Sequence, residues 1–207
     1  MKQGRAAVIL ALAWSAGWRP AVLAGQEKPR ERQIAEAVMP LPEAQRVAAT
    51  VYGYRHGGTL AEVLREGSNN FVCLADTPGD RVFQVSCYHR SLEPFMALGR
   101  ELRAQGLNRA QVQERRAEAV RAGTLIMPEM ASMTSLRASL ESPTEIPDSV
   151  NVLTVVYTPY ATAESTGLSI RPAGMGMPWL MDPGRHRAHI MIAGPRIPFE
   201  LAAGATR

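Results

Sequence analysis

FVCLADTPGDRVFQVSCYH, residues 71–89, decides the fold. Phe71 to Ala75 and Val82 to His89 are apolar, β-branched runs, and Thr77-Pro78-Gly79-Asp80 between them is a turn sequence. If the turn is symmetric about Asp80, positions whose numbers sum to 160 face each other, which sets Cys73 opposite Cys87. Opposed residues on paired strands have Cβ atoms ~4.5–5.5 Å apart, so a small local twist brings the sulfurs into bonding range. Such a bridge closes a loop of about 15 residues and adds ~3 kcal/mol. The alternatives are two thiols packed as small hydrophobes, or a pair used for metal or redox work.

Working outward toward the N-terminus, Val47 to Arg55 reads as a strand and His56-Gly57-Gly58 as the tight turn of a hairpin. Thr59 to Arg65 returns, and Glu66-Gly67-Ser68-Asn69-Asn70 turns again. The expectation is a four-stranded antiparallel meander over 47–89. Ile34, Ala35 and Val38 before it mark a short amphipathic helix that Pro40 and Pro42 end.

Toward the C-terminus, Ser91 is a candidate cap for a helix whose stripe of Leu92, Phe95, Met96, Leu98 and Leu102 can lie on the sheet. Asn108 caps a second helix, which ends at Gly123; Arg115, Glu118 and Arg121 give it a solvated, ion-paired surface. Thr124 to Asp148 is rich in Met, Pro, Ser and Thr and reads as a long surface segment, with one helical turn near Ser135 to Leu140. A strand follows at 150–157. Thr158-Pro159 then opens a short helix that Gly167 ends, a Gly/Pro-rich loop covers 169–178, and a last strand spans 189–192. The predicted class is α+β: a mainly antiparallel sheet with two to three helices packed on it. The predicted division is a linker and short helix (25–46), one domain (47–194) and a frayed tail (195–207).

Residues 1–24 read as a cleavable secretory signal. Lys2 and Arg5 precede the apolar run Ala6 to Trp14, and Val22-Leu23-Ala24 supplies small residues for cleavage near Ala24-Gly25. The run is too short to span a bilayer, and no later stretch is longer, so no membrane span is expected. The whole chain carries 23 basic and 19 acidic side chains, a net +4. Loss of Lys2, Arg5 and Arg19 with the signal leaves 20 against 19, close to neutral. That balance does not suit nucleic acid, whose phosphates call for a clustered positive excess. An exported chain, periplasmic or extracellular, is the expected setting, and one in which disulfides persist.

Few residues point to chemistry. His89, two residues past Cys87, stands at a strand end, and Glu93 lies in the first turn of the next helix. His186 and His189 follow the sharp Asp182-Pro183-Gly184 turn. Should the last strand return beside the meander, His89, Glu93 and His189 make a catalytic or zinc-ligand set; His89, His186 and His189 are the candidate metal ligands. Met127, Met130 and Met133, and Met175, Met177, Met181 and Met191, are thioethers of a kind that suits Cu(I), or else gap fillers under loops. Tyr160 and Glu164 lie in a hydroxyl-rich junction that can present helix-terminal N–H groups to an anion, and Trp179 and Asp182 can line a pocket beside it.

The chain has no Gly-x-Ser-x-Gly elbow, phosphate loop, Cys-x-x-Cys pair or haem-attachment sequence, and no motif requires a cofactor. The expected role is an exported, non-catalytic domain that binds a small molecule or an envelope component. Its cleft is expected where the His89 strand, the Tyr160 helix and the Trp179 loop meet. A zinc-dependent hydrolase and a copper-handling protein are the competing classes.

Overall fold

A computed structural model describes residues 28–55 and 59–203. The signal segment 1–24, the His56-Gly57-Gly58 turn and the last four residues lie outside them. The fold is α+β, built on an eight-stranded, mostly antiparallel sheet. Its strands are β1 (Thr50–Gly53), β2 (Glu62–Arg65), β3 (Phe71–Leu74), β4 (Val82–His89), β5 (Ala131–Ser139), β6 (Ser149–Tyr157), β7 (Pro178–Met181) and β8 (His189–Pro198). They lie in the order β2-β1-β3-β4-β5-β6-β8-β7.

The 71–89 hairpin has the register its sequence implies. Cys73 pairs with Cys87 and Phe71 with His89, and Gly79 takes a φ of 88° after Pro78, as the third residue of a type II turn must. Cys73 and Cys87 form a disulfide with Cα atoms 4.0 Å apart, buried beneath α1 (Arg30–Ala37).

The first four strands are not a meander. β3 pairs parallel to β1, and β2 lies outside on the far edge. The Glu66–Asn70 link therefore crosses the end of β1 instead of turning back beside β2. Ser68 and Asn69 both donate N–H groups to the Ala48 carbonyl, and a Cβ on Gly67 would strike the backbone of Ala49 and Thr50. Only glycine lets two chains pass this closely.

Two further strands occupy stretches that read as irregular. β5 replaces the expected surface segment and helical turn; it is paired along its length on both sides, by β4 and β6. Its central Ser135 meets Ser86 through a buried hydrogen bond of 2.7 Å. β7 forms the second sheet edge. The last strand does not stop at Gly194: β8 runs to Pro198, and α6 (Phe199–Ala203) tucks Ala202 and Phe199 against Phe83. The guanidinium of Arg46, the last residue of α2 (Glu43–Arg46), holds the Ala202 and Ala203 carbonyls.

Helices cover both faces of the sheet. α1 and α6 lie on the face that carries Cys73, Cys87, Val85 and Leu136. On the other face, α3 (Glu93–Ala104) and α4 (Arg109–Arg121) cover Val72, Tyr88, Val155 and Tyr157. A 3₁₀ turn (Arg90–Leu92) joins β4 to α3, and its cap is His89, not Ser91. Asn108 caps α4 through a reciprocal pair of bonds with Gln111. Among the described residues no helix is long and apolar enough to cross a membrane.

Candidate functional site

The sheet separates the proposed catalytic set. Tyr88, Met133, Val155 and Met191 form one row across four strands, so His189 shares their face, whereas His89, next to Tyr88, lies on the opposite one. Three strand spacings of about 4.8 Å also stand between the two imidazoles. His89 is occupied as a cap: its Nδ1 lies 2.8 Å from the Ser91 hydroxyl. Glu93 accepts bonds from Tyr88 and Arg100 in a satisfied knot under α3, where Arg100 also lies 4.5 Å from the centre of the Tyr52 ring. Burial, and Glu93 beside it, push the Tyr88 hydroxyl well above the usual phenol range. Among the described residues no three His, Cys, Asp or Glu side chains are grouped to hold a metal ion.

A different corner has unfinished chemistry. The segments after β6 and before β8 are tied together: Thr158 N–H donates to the Ala188 carbonyl, Tyr160 N–H to Arg185 and Gly184 N–H to Ala161. Between this tie and α4 lies a cleft of about 810 Å³. Tyr160, Asp182 and His186, all expected site residues, line it, together with Arg109, Arg121, Arg185 and Arg187. The other expected ligand contacts differ. Trp179 is buried on β7, behind the cleft wall. Glu164 is on α5 (Ala163–Thr166), outside the lining; that one-turn helix starts at Thr162 rather than at Thr158, and Ser165 and Thr162 satisfy its end reciprocally. The His89 strand does not reach the cleft.

Five buried side-chain atoms among the described residues have no hydrogen-bond partner: Gln113 Oε1, Arg116 Nε, Thr158 Oγ1, Trp179 Nε1 and His186 Nε2. Each belongs to α4 or to the Thr158–His186 stretch that faces it. Buried polar atoms without partners cost about 1–3 kcal/mol each and are rare in native proteins. The same corner holds Tyr160 (φ 66°) and Asp182 (φ 52°), which are the non-glycine residues with left-handed backbone among the described residues. Strain of that kind gathers at functional sites.

Arg116 is the most unusual member. Sequence reading gave α4 a solvated face, yet this arginine is 4% exposed. Its guanidinium lies flat on Phe95, 3.8 Å from the ring centre, in space that exists because residue 99 is glycine; a Cβ there would overlap it. No carboxylate pairs with it among the described residues. Burial, then the charge of Arg103, lowers its pKa to about 10, so it stays cationic at neutral pH. His186 packs against the same Phe95 ring, and burial, followed by Arg187, Arg116 and Arg121, holds its pKa below the usual histidine range. A neutral imidazole therefore faces a cationic wall. Asp182 offsets Arg187 at 3.0 Å and Glu114 offsets Arg121 at 3.3 Å, while Arg109 and Arg185 have no ion pair among the described residues.

Two smaller cavities, of about 210 and 310 Å³, hold none of the unpartnered atoms. In the first, Lys28 is already engaged by Glu36 and Asp76. The residues missed by sequence reading are Gln113 and Arg116, which at three positions apart share one side of α4. The signal available was that Arg116 falls in register with Val112 and Val120 on the side a helix turns inward. No protein-family model, no curated protein and no solved structure matches the chain.

Proposed function

We propose that the protein is an exported, non-catalytic binding domain whose cleft between α4 and the β7–β8 connection takes up a small anionic ligand. The observation that carries this reading is that the five unpartnered buried polar atoms among the described residues all belong to α4 or to the Thr158–His186 stretch, with Gln113 and His186 lining the cleft beside an excess of arginine. A carboxylate or phosphate in the cleft supplies acceptors for Arg109 and Arg185, which have no ion pair among the described residues, and its charge offsets that of Arg116, which is buried under α4. Nothing in the cleft pairs a nucleophile with a base, which favours binding over catalysis. The buried Cys73–Cys87 bridge supports an oxidising compartment and the reading of residues 1–24 as a leader.

The test is a titration of ¹⁵N-labelled protein with inorganic phosphate, acetate and benzoate, with sodium chloride as the reference. A saturable movement of the Trp179 indole N–H signal, lost in Arg116→Met, is expected. Shifts that never saturate, or that chloride reproduces, refute the reading. Mass spectrometry of protein from its native host tests the leader; an intact chain beginning at Met1 would overturn it.

A further inference from the structure

We infer that His189, Met181 and Met191 form a binding site for a monovalent soft cation, Cu(I), at the edge of the sheet. The three are spread over eleven positions in the chain, but strand pairing brings them together. Met181 is directly opposite His189, and Met191 is directly opposite Trp179 in the adjacent row of the same sheet face. Opposed residues have Cβ atoms about 4.5–5.5 Å apart, and positions i and i+2 on a strand are about 6.6 Å apart. Two methionines with three rotatable bonds each can bring their sulfurs to one point over the imidazole.

The imidazole is prepared for this role. His189 Nδ1 lies 2.8 Å from the Arg187 carbonyl, so Nδ1 carries the proton and donates it, and the lone pair is left on Nε2. A backbone carbonyl that fixes the tautomer is the usual support of a metal-bound histidine. No hydrogen bond engages Nε2 among the described residues. Tyr157 stacks beside the ring at 5.2 Å and limits its rotation. Met181 is 36% exposed on the edge strand β7, which leaves an entry path. The buried Trp179 indole flanks Met191, where a cation can lie against an aromatic face.

The donors select the ion. Two thioethers and one neutral imidazole suit Cu(I) and supply no anionic oxygen for a hard cation. The nearest carboxylate, Asp182, is taken by Arg187. A divalent ion would also meet twice the repulsion from Arg185 and Arg187 that a monovalent ion meets. Met181 also lines the cleft of the anion reading, whereas His189 and Met191 do not, so the two readings share one wall and are separated by their ligands, an anion in one titration and Cu(I) in the other.

The test titrates the full chain, disulfide intact, with Cu(I) under anaerobic conditions against bicinchoninate as competing chromophore. One Cu(I) per chain is expected. Met181→Leu and Met191→Leu, which conserve volume, should each weaken binding about tenfold or more, as should His189→Gln. Met130→Leu, at an exposed methionine of the other group, should change nothing. Circular dichroism checks folding, and if His189→Gln fails to fold the two leucine variants decide. Absence of stoichiometric Cu(I), or an affinity indifferent to both leucine variants, overturns the inference.

Discussion

Replacing Arg116 with methionine should stabilise the ligand-free protein. The guanidinium is 4% exposed and has no carboxylate partner among the described residues, and its pKa is lowered from the ordinary arginine value to about 10, chiefly through burial. A drop of that size corresponds to about 3 kcal/mol favouring the neutral form in the folded state. Because the folded value lies below the unfolded one, both states are protonated up to about pH 10, and the full penalty is present throughout the neutral range. It fades only as the pH climbs from there toward the ordinary arginine value. Packing of the cation on Phe95 offsets about 1–2 kcal/mol of it. Methionine fills similar space without charge, so the expected net gain is about 1–2 kcal/mol, within the range seen when buried ions give way to apolar residues. Urea unfolding should show a higher midpoint at unchanged slope, and thermal unfolding a midpoint raised by about 2–8 °C. Anion binding should be lost in the same variant. A loss of more than about 1 kcal/mol would refute the reasoning, because it would mean that Arg116 is a net structural element.

Three other outcomes follow from the same geometry. Gly99→Ala should cost about 1–3 kcal/mol because its Cβ overlaps the Arg116 guanidinium and forces the two helices to shift, and much less when Arg116→Ala is also present; a double-mutant cycle by urea unfolding measures the difference. Cys73→Ala combined with Cys87→Ala should lower stability by about 3 kcal/mol, the entropy of a loop of some 15 residues, with unchanged strand pairing by circular dichroism. His186 has a folded pKa below its unfolded one, so stability should hold above the unfolded value near 6.5, fall as the pH drops toward the folded value, and then level off. Denaturation midpoints from pH 8 to pH 5 should show this slope, and His186→Gln should flatten it.

The parts of the fold that were legible are those whose signal is local. Residues 71–89 hold a turn with its proline and glycine at the required positions and two strands of matching pattern, so even the Cys73–Cys87 register could be counted off. The parts that were not legible depend on partners distant in sequence. Ala and Ser fill five of the nine positions of β5 and have little strand character by themselves, and the segment is extended because β4 and β6 hold it from both sides. The parallel β1–β3 pairing hinges on Gly67 passing over Ala49, a close approach between segments that a hairpin-by-hairpin reading does not consider. In the candidate site, Tyr160, Asp182 and His186 were found because turn chemistry and composition flagged their loop. Arg116 was hidden by its own residue type: amid Arg115, Glu118 and Arg121 it looks like one more solvated charge, and only the missing side chain at Gly99 creates its place.

The coincidence of defects favours a functional over a purely structural corner in the reading proposed above. A single unpartnered Trp179 N–H, or a lone left-handed Asp182, has an ordinary explanation in loop closure. Here a buried cation, a neutral histidine with an idle nitrogen, three more polar atoms without partners and two strained residues lie along one helix and the loop that faces it. Elsewhere the same protein satisfies comparable groups. Arg100 has Glu93 and Tyr88, Arg46 has four carbonyls, and Lys28 has two carboxylates. That this chain completes those networks, yet is incomplete around Arg116, is what supports the proposal of a partner supplied from outside. The same contrast explains why stability and binding should oppose each other in Arg116→Met: the charge that burdens the empty fold is the one that a bound anion would neutralise.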